Sequence, residues 1–530
     1  MRIIQSSWSC NQQSLLTSKS GWLAPEYNLI AWALSCLQLK QYYKDVVLYC
    51  DSVSAKTLID DLQLPYNEVV CNLDVLNSYH PQLWALPKIH AYSQQEKPFL
   101  HVDGDVFIWE KFQENLINSN LIAQNVESAT NYYETIMSSL EANLPYFPKE
   151  IKTERESKNP IIAYNAGIFG GNNLSFFKEY TTKAFEFVDK NVSNLSKINV
   201  TNFNIFFEQY LFYCLAKQQN QNVGVLIPEV IKDNQYMGFG DFTKVPFEKK
   251  YLHLLGTYKK SEFVSKQLAN KLREDYPYYY YRIIELFKKQ QVPLFKDYYY
   301  DNCSQKDLRC RAIALKICYT TNNIDKGENS LEKLRWSNAL TPSYFIGKNN
   351  KKTIDELQLK DFDLFCQKIN SITRSKFSLI STDYLYARDL NLNQYFQYLF
   401  EDVKNIYSKK LIADDTIEII ESNYDWSAYL KEKNSEELNT KTTLDKNPSN
   451  TSMVIVPECD RNGFSITTVD SLDLILLKIL EKTKTIQELL NELSDYFDEN
   501  ELNKSKSKFE KLIFGRIKLG LHLKSIRVIF

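Results

Sequence analysis

The sequence predicts an α/β protein. A first domain of about 260 residues is built on a mostly parallel sheet, a mainly helical region follows, and a small C-terminal unit closes the chain. Three observations carry that reading. Short apolar runs alternate with helix-period patterns up to about residue 260, as a sheet covered by crossover helices requires. Beyond it, long helical patterns such as 275–289 (DYPYYYYRIIELFKK) and 393–411 (NQYFQYLFEDVKNIYSKKL) dominate. A polar stretch at 431–452, with almost nothing apolar to bury, then reads as a linker.

Taken in order, 2–8 (RIIQSSW) is a first strand, and 26–39 is a helix with Leu29, Ile30, Ala33 and Leu34 on one face. The segment 45–51 (DVVLYCD) is a buried strand, SAKTLIDDL another helix and 67–72 (NEVVCN) a short strand. A helix over 83–93 precedes 98–109 (PFLHVDGDVFIW), a strand that runs into a functional tip. Between 110 and 160 one more helix and a surface loop, TERESKNP, are expected. The run 161–173 (IIAYNAGIFGGNN) is a strand ending in a glycine turn, 201–217 a strong helix, and 249–261 (KKYLHLLGTYKKS) a closing strand with a basic loop. The domains expected are therefore 1–261, 262–430, the linker 431–452, and 453–530. In the last of these, helix 469–482 is followed by a helix that Thr485 caps with Glu488 in a capping box. A third helix over 503–519 stops at Gly520, and 523–530 is a final strand or wing. No short internal repeat suggests a solenoid.

Composition narrows the partners. In 530 residues, Lys and Arg (64) balance Asp and Glu (65), so no overall field recruits nucleic acid or an anionic membrane. Hydrophobic residues at 44% and charged ones at 24% describe an ordinary globular chain. The ten cysteines form no C-x-x-C pair and no Cys/His cluster at zinc-ligand spacing, which predicts reduced thiols. The opening residues lack the basic and apolar regions of a signal peptide, and no apolar run approaches the roughly 20 residues of a membrane span. The expected location is the cytoplasm.

The chemistry concentrates at His101-Val102-Asp103-Gly104-Asp105, where an apolar strand ends. Open α/β sheets bind ligands beyond the carboxyl ends of their strands. Two carboxylates two residues apart, with Gly104 allowing a tight turn, can present oxygens to one Mg²⁺ or Mn²⁺ whose remaining positions take phosphate and water. His253 is one of five histidines and stands at a strand end before a basic loop, suited to an imidazole ligand with Lys259 on phosphate. Lys88 lies before the D-x-D strand and can reach phosphate or sugar. Asp51 and Trp8 each end a strand. Glu208 is the carboxylate nominated for the proton chemistry of transfer.

These segments resemble the GT-A glycosyltransferases. FLHVDGDVFIW is similar to their D-x-D strand, and NAGIFGG (165–171) to the following strand whose turn lines the sugar pocket. Glu208-Gln209 resembles the acidic-Gln pair that the retaining, glycogenin-like branch keeps near the donor sugar. His253-Leu254-Leu255-Gly256-Thr257-Tyr258-Lys259 is similar to that branch's closing H-x-x-G-x-x-K motif. The resemblance covers about residues 1–260 and implies a Rossmann-like GT-A domain. It also implies a metal held by Asp103, Asp105 and His253, and a donor, typically a uridine diphosphate sugar, bound near Gly170, Gly171, Gly256 and Lys259, with Asp51 where these enzymes often hold the base or ribose and Trp8 placed to stack on that base. Asn165, Glu208 and Gln209 would stand on the reacting side. The basic loop ends Lys259-Lys260-Ser261 without the Pro-Trp that often follows in that branch, so retention and inversion both stay open; a bacterial family of glycosyltransferase-like proteins is the other relative considered.

The C-terminal unit resembles a winged helix and, more loosely, the PqqD-like elements that hold a peptide as an added strand. That implies a peptide or protein acceptor. Two other readings share the D-x-D: a haloacid-dehalogenase-like phosphatase with an aspartyl nucleophile, for which Asp414-Asp415 is the later acidic pair, and a GT-A-like scaffold without turnover.

Overall fold

A strand whose residues are all buried belongs inside a sheet covered on both faces, and VVLYC is such a strand. The computed structural model describes residues 1–128, 130–157, 159–292, 294, 356–400, 406–427, 448–458, 464–497 and 499–529. It divides into two compact units, Met1–Val292 and Pro293–Phe530.

In the first unit β1 (Arg2–Ser7) leads through α1 (Pro25–Tyr42) to β2 (Val46–Cys50), then through α2 (Ser52–Ala55) to β3 (Glu68–Cys71). The helix α3 (Leu86–Ser93) returns the chain to β4 (Phe99–Val102), and β5 (Val106–Ile108) follows at once. Next come α4 (Glu114–Ile117), β6 (Leu121–Ser128), α5 (Thr130–Asn143), α6 (Lys149–Glu156), β7 (Ile162–Gly171) and α7 (Leu174–Asp189). A long helix is built of α8 (Val200–Ile205), a π-helical turn (Phe206–Tyr210) and α9 (Leu211–Gln218). The unit ends with β8 (Val223–Val225), β9 (Ile231–Lys232), β10 (Tyr251–His253), α10 (Glu262–Asp275) and α11 (Pro277–Lys289).

Among the described residues, eight strands form one sheet in the order β3-β2-β1-β4-β7-β6-β8, with β9 beside β6. It is mixed but mostly parallel: β7 runs antiparallel to both β4 and β6, and the other pairings are parallel. The chain moves outward from β1 to β3 and then crosses back to lay β4 on the other side of β1. The carboxyl ends of β1 and β4 therefore flank a topological switch point, where open α/β sheets leave a crevice. β5 leaves this sheet and pairs with β10, His253 opposite Val106.

Several expectations are corrected here. The segment 98–109 is two strands on two sheets, because the chain turns at Asp103–Asp105. The stretch 110–160 contains the interior strand β6, and TERE lies in α6 rather than in a loop. Gly170 and Gly171 belong to β7 itself, not to a turn, and a Cβ on Gly170 would lie 2.2 Å from the Phe99 carbonyl oxygen. They permit the close approach of β4 and of Asn120. Past residue 261, α10 and α11 pack on α1, and Arg282 donates to the Asp61 carbonyl at 2.6 Å, which carries the first unit to Val292.

In the second unit, residues 295–355 of the region expected to be helical (262–430) and residues 431–447 of the expected linker (431–452) fall outside the described residues. Helix Glu356–Ser375 lays Phe362, Phe365 and Ile369 against Trp426, Met453 and Ile455. β12 (Glu418–Ser422), β13 (Thr451–Pro457) and β14 (Phe464–Val469) form one antiparallel sheet, and β11 (Lys410–Ala413) lies between β15 (Lys484–Thr485) and β16 (Ile526–Ile529). The expected helix 393–411 thus ends at Phe400, and its last residues are strand. Helices Ser471–Ile479, Ile486–Ser494 and Glu499–His522 enclose a core of Leu476, Leu489, Leu493, Ile513 and Ile517. The Thr485–Glu488 capping box is present. Gly520 does not stop its helix; it makes room for Ile526, whose Cδ1 lies 2.5 Å from where a Cβ would be.

Two glycines give opposite expectations. Gly170→Ala, which must push apart two strand backbones, should destabilise the first unit by about 2–3 kcal/mol. Gly515→Ala, in a helix with nothing near the added methyl, should stabilise the second by about 0.5–1 kcal/mol. Urea unfolding of the two variants checks both signs.

Candidate metal centre

Asp103 leaves the end of β4, and its amide donates to the Gly167 carbonyl at 2.9 Å. The turn closes as Val106 N donates to Asp103 O at 3.1 Å, and Leu254 N donates to Asp105 O at 3.0 Å. The ladder between β5 and β10 then brings His253 beside the turn. Among the described residues Asp103, Asp105 and His253 form a group whose ligand atoms all lie within 4.8 Å of one another. Donors sharing one small divalent ion sit roughly 3–4.2 Å apart, so a small contraction would make this cluster a coordination site. Two carboxylate oxygens and an imidazole, with no thiolate among them, form a donor set of the kind that holds a divalent ion. Gly104 is needed at the turn: a Cβ there would meet the Trp32 ring at 2.8 Å.

Two lysines neutralise the carboxylates. Lys259 Nζ is 2.6 Å from Asp105 Oδ2 and lies over the Trp22 ring, while Lys88 Nζ is 2.9 Å from Asp103 Oδ2 and 3.1 Å from Glu208 Oε1. Burial raises Asp103, with Lys88 pulling against it. Burial would raise Asp105 as well, but Lys259 and His253 outweigh it and hold it below the usual carboxylate range. Desolvation disfavours a charged Lys88, yet Asp103 and Glu208 together raise it, so it stays an ammonium. His101, behind Asp103, is lowered well below its ordinary value by burial and by Lys88; its Nε2 meets Ser6 Oγ at 2.9 Å.

The remaining candidates divide. Glu208 is fully buried on the π-helical turn, a feature frequent at functional sites, with Gln209 beside it at 8% exposure. Burial pushes Glu208 up to about 7. Asn165 is engaged with Glu127 (2.9 Å), the Tyr236 hydroxyl (3.2 Å) and the Gly167 amide (2.9 Å). Gly256, at φ +40° with open space around it, starts the turn that carries Lys259. Trp8 is mostly buried, its indole N–H donating to Asn77 at 2.9 Å. Asp51 is fully buried and accepts from Ser9 N, Ser9 Oγ and Ser54 N, so it ties the end of β1 to the cap of α2. Gly170 and Gly171 pack against backbone rather than beside the cluster. Asp414 and Asp415 lie in the second unit, where both pair with Arg527. Sequence reasoning missed Trp22, Trp32 and Gln124, which sit on apolar patterns with no motif of their own.

A sequence profile describing a family of unknown function (DUF6734) matches residues 1–286, slightly more than half of the chain, and contains the whole cluster. No curated protein matches the sequence. Among the solved structures that match is the crystal structure of the glycosyltransferase GlyE in Streptococcus pneumoniae TIGR4, 12% identical, covering 55% of this chain at a TM-score of 0.28. The chain spans 64% of that protein's length.

Glu208 supplies a pH test. With its value raised from 4.5 to about 7, the folded chain holds this proton more tightly than the unfolded one. The carboxyl therefore favours folding below about 4.5, and that contribution is lost as pH rises through 7. In metal-free protein, the stability of Glu208→Gln relative to wild type should grow by up to about 3 kcal/mol between pH 5 and pH 8. Denaturant midpoints at both pH values measure it, and a gap that stays flat would mean Lys88 keeps Glu208 ionised throughout.

Proposed function

The chain belongs to the DUF6734 family, and from that premise we propose that its first unit is a metal-dependent glycosyltransferase acting on a nucleotide diphosphate sugar, with a uridine diphosphate sugar as the donor. The observation that supports this reading best is the cluster Asp103–Asp105–His253, set at the switch point of a mostly parallel sheet and flanked by Lys88 and Lys259. A site that receives a diphosphate needs cation ligands and ammonium groups on the same wall, and this wall has both.

A divalent ion held by the three ligands, Mn²⁺ or Mg²⁺, supplies charge stabilisation for the departing diphosphate. Lys88 and Lys259 pair with the same carboxylates that would hold the ion. Lys259 and Lys88 then turn toward phosphate oxygens, carried by the open turn at Gly256 and by α3. When Lys88 leaves, Glu208 loses its partner and becomes the carboxylate on the reacting side, with Gln209 next to it. Trp8 borders the base site, and Asp51 serves there by holding the Ser9 loop. Asn165 keeps β7 in place beside the cluster.

The second unit is proposed to select a peptide or protein acceptor, its three C-terminal helices acting as a winged-helix or PqqD-like element. The protein is proposed to work in a bacterial cytoplasm; among the described residues no helix is long and apolar enough to cross a membrane.

Calorimetry and thermal shift against uridine, guanosine and cytidine diphosphate sugars, with and without Mn²⁺, test the donor site. Metal-dependent binding of the uridine compound is expected, with its loss in Asp103→Ala/Asp105→Ala. A folded protein that binds none of them under any metal would sink the transferase reading. For the acceptor, removing residues 293–530 is cleaner than removing 453–530, which would strip β13 from β12. Transfer to peptides should fall while donor binding persists.

A further inference from the structure

Behind the cluster stands a residue that no motif identified. Gln124 is fully buried on β6, and its Oε1 lies 2.6 Å from His253 Nδ1 and accepts from the Tyr251 hydroxyl at 2.5 Å. The local sheet is irregular there. Between the pairs Ala123–Phe169 and Asn125–Asn165, β7 advances four residues while β6 advances two. Such bulges re-aim side chains beside functional sites. Gly167 lies within this bulge, where a Cβ would fall 2.2 Å from Gln124 Oε1 and 2.4 Å from His253 Nδ1. The glycine leaves the space in which glutamine and histidine meet.

The direction of that hydrogen bond follows from a chain of amides anchored on backbone. The Val126 carbonyl can only accept, so the Asn125 side chain turns its NH₂ toward it, at 2.9 Å. That leaves Asn125 Oδ1 facing Gln124, whose Nε2 donates to it at 2.9 Å. Gln124 Oε1 is thereby fixed toward His253 and can only accept, so His253 Nδ1 must carry the proton. In the neutral ring that a metal requires, the Nε2 lone pair then faces the cluster, 3.5 Å from Asp105 Oδ1. We infer that Gln124 is a positioning residue for the metal centre, holding His253 in the Nδ1–H tautomer that leaves Nε2 free to bind the ion. The inference rests on the metal reading given above.

The test is Mn²⁺ titration of metal-free full-length protein, followed by electron paramagnetic resonance. Partners that orient a ligating histidine typically change metal affinity by about 10–100-fold. Gln124→Leu, which cannot accept, should weaken Mn²⁺ binding by that factor, whereas Gln124→Glu, which still accepts, should keep it. Gln124→Leu binding Mn²⁺ as wild type does would overturn the inference while leaving the metal reading intact. Wild-type protein that binds no Mn²⁺ would overturn both. Nitrogen-15 spectra of histidine-labelled, metal-free wild type give an answer that needs no variant of Gln124 to fold. The His253 signal, assigned by its absence in His253→Gln, should report a proton on Nδ1, and a neutral ring protonated at Nε2 alone would overturn the inference.

Discussion

Two largely buried carboxylates two residues apart are the constraint around which the first unit is arranged. Burial and mutual repulsion both act against two neighbouring charges. Side-chain exposures of 16% for Asp103 and 11% for Asp105 leave little water to screen them. The chain answers with one ammonium for each: Lys259 for Asp105, and Lys88 for Asp103 with Glu208 as a third partner. Each lysine reaches the cluster from a different element, so α3, the turn after β10 and the π-helical turn are all bound to the position of one loop.

That arrangement has a consequence for metal binding. Removing one partner from a buried ion pair usually costs several kcal/mol, because the other charge is left stranded. On the proposed function, a divalent ion held by Asp103, Asp105 and His253 would replace the two ammonium groups as counter-charge, so the carboxylates would not be stranded but the lysines would. The diphosphate of the proposed donor would resolve this, since it would bring negative charge to where the lysines are released. Ion and anion should therefore bind more strongly together than either does alone, a coupling set by charge balance.

How much of this was legible in the sequence depended on whether a residue's role was local. The Asp103–Asp105 spacing, the strand before it and the Thr485–Glu488 box are local patterns, and the structure contains all three. His253 was legible through its strand end and basic loop. β6 was not, because LIAQNVES mixes apolar residues with Gln124, Asn125 and Glu127, whose partners lie at Asn165, Tyr236 and His253. A buried polar strand looks like a surface segment until those partners are known. Gly170 and Gly171 misled for a related reason. A glycine that admits a neighbouring backbone looks, in one dimension, like a glycine that turns the chain.

Asp51 shows the same limit from the other side. A carboxylate at the end of a parallel strand near a switch point fits a ligand-binding position, and the sequence alone leaves a structural role open beside it. In the fold its two oxygens accept from Ser9 N, Ser9 Oγ and Ser54 N, so the side chain serves the loops on either side of it. What separates Asp51 from Asp103 is the partner set. Asp51 is satisfied by neutral donors that cannot leave, one a hydroxyl and two backbone amides. Asp103 and Asp105 are satisfied by ammonium groups on flexible stems, which can exchange for another cation. By that criterion, exchangeable counter-charge rather than position in the sheet marks the carboxylates available for chemistry.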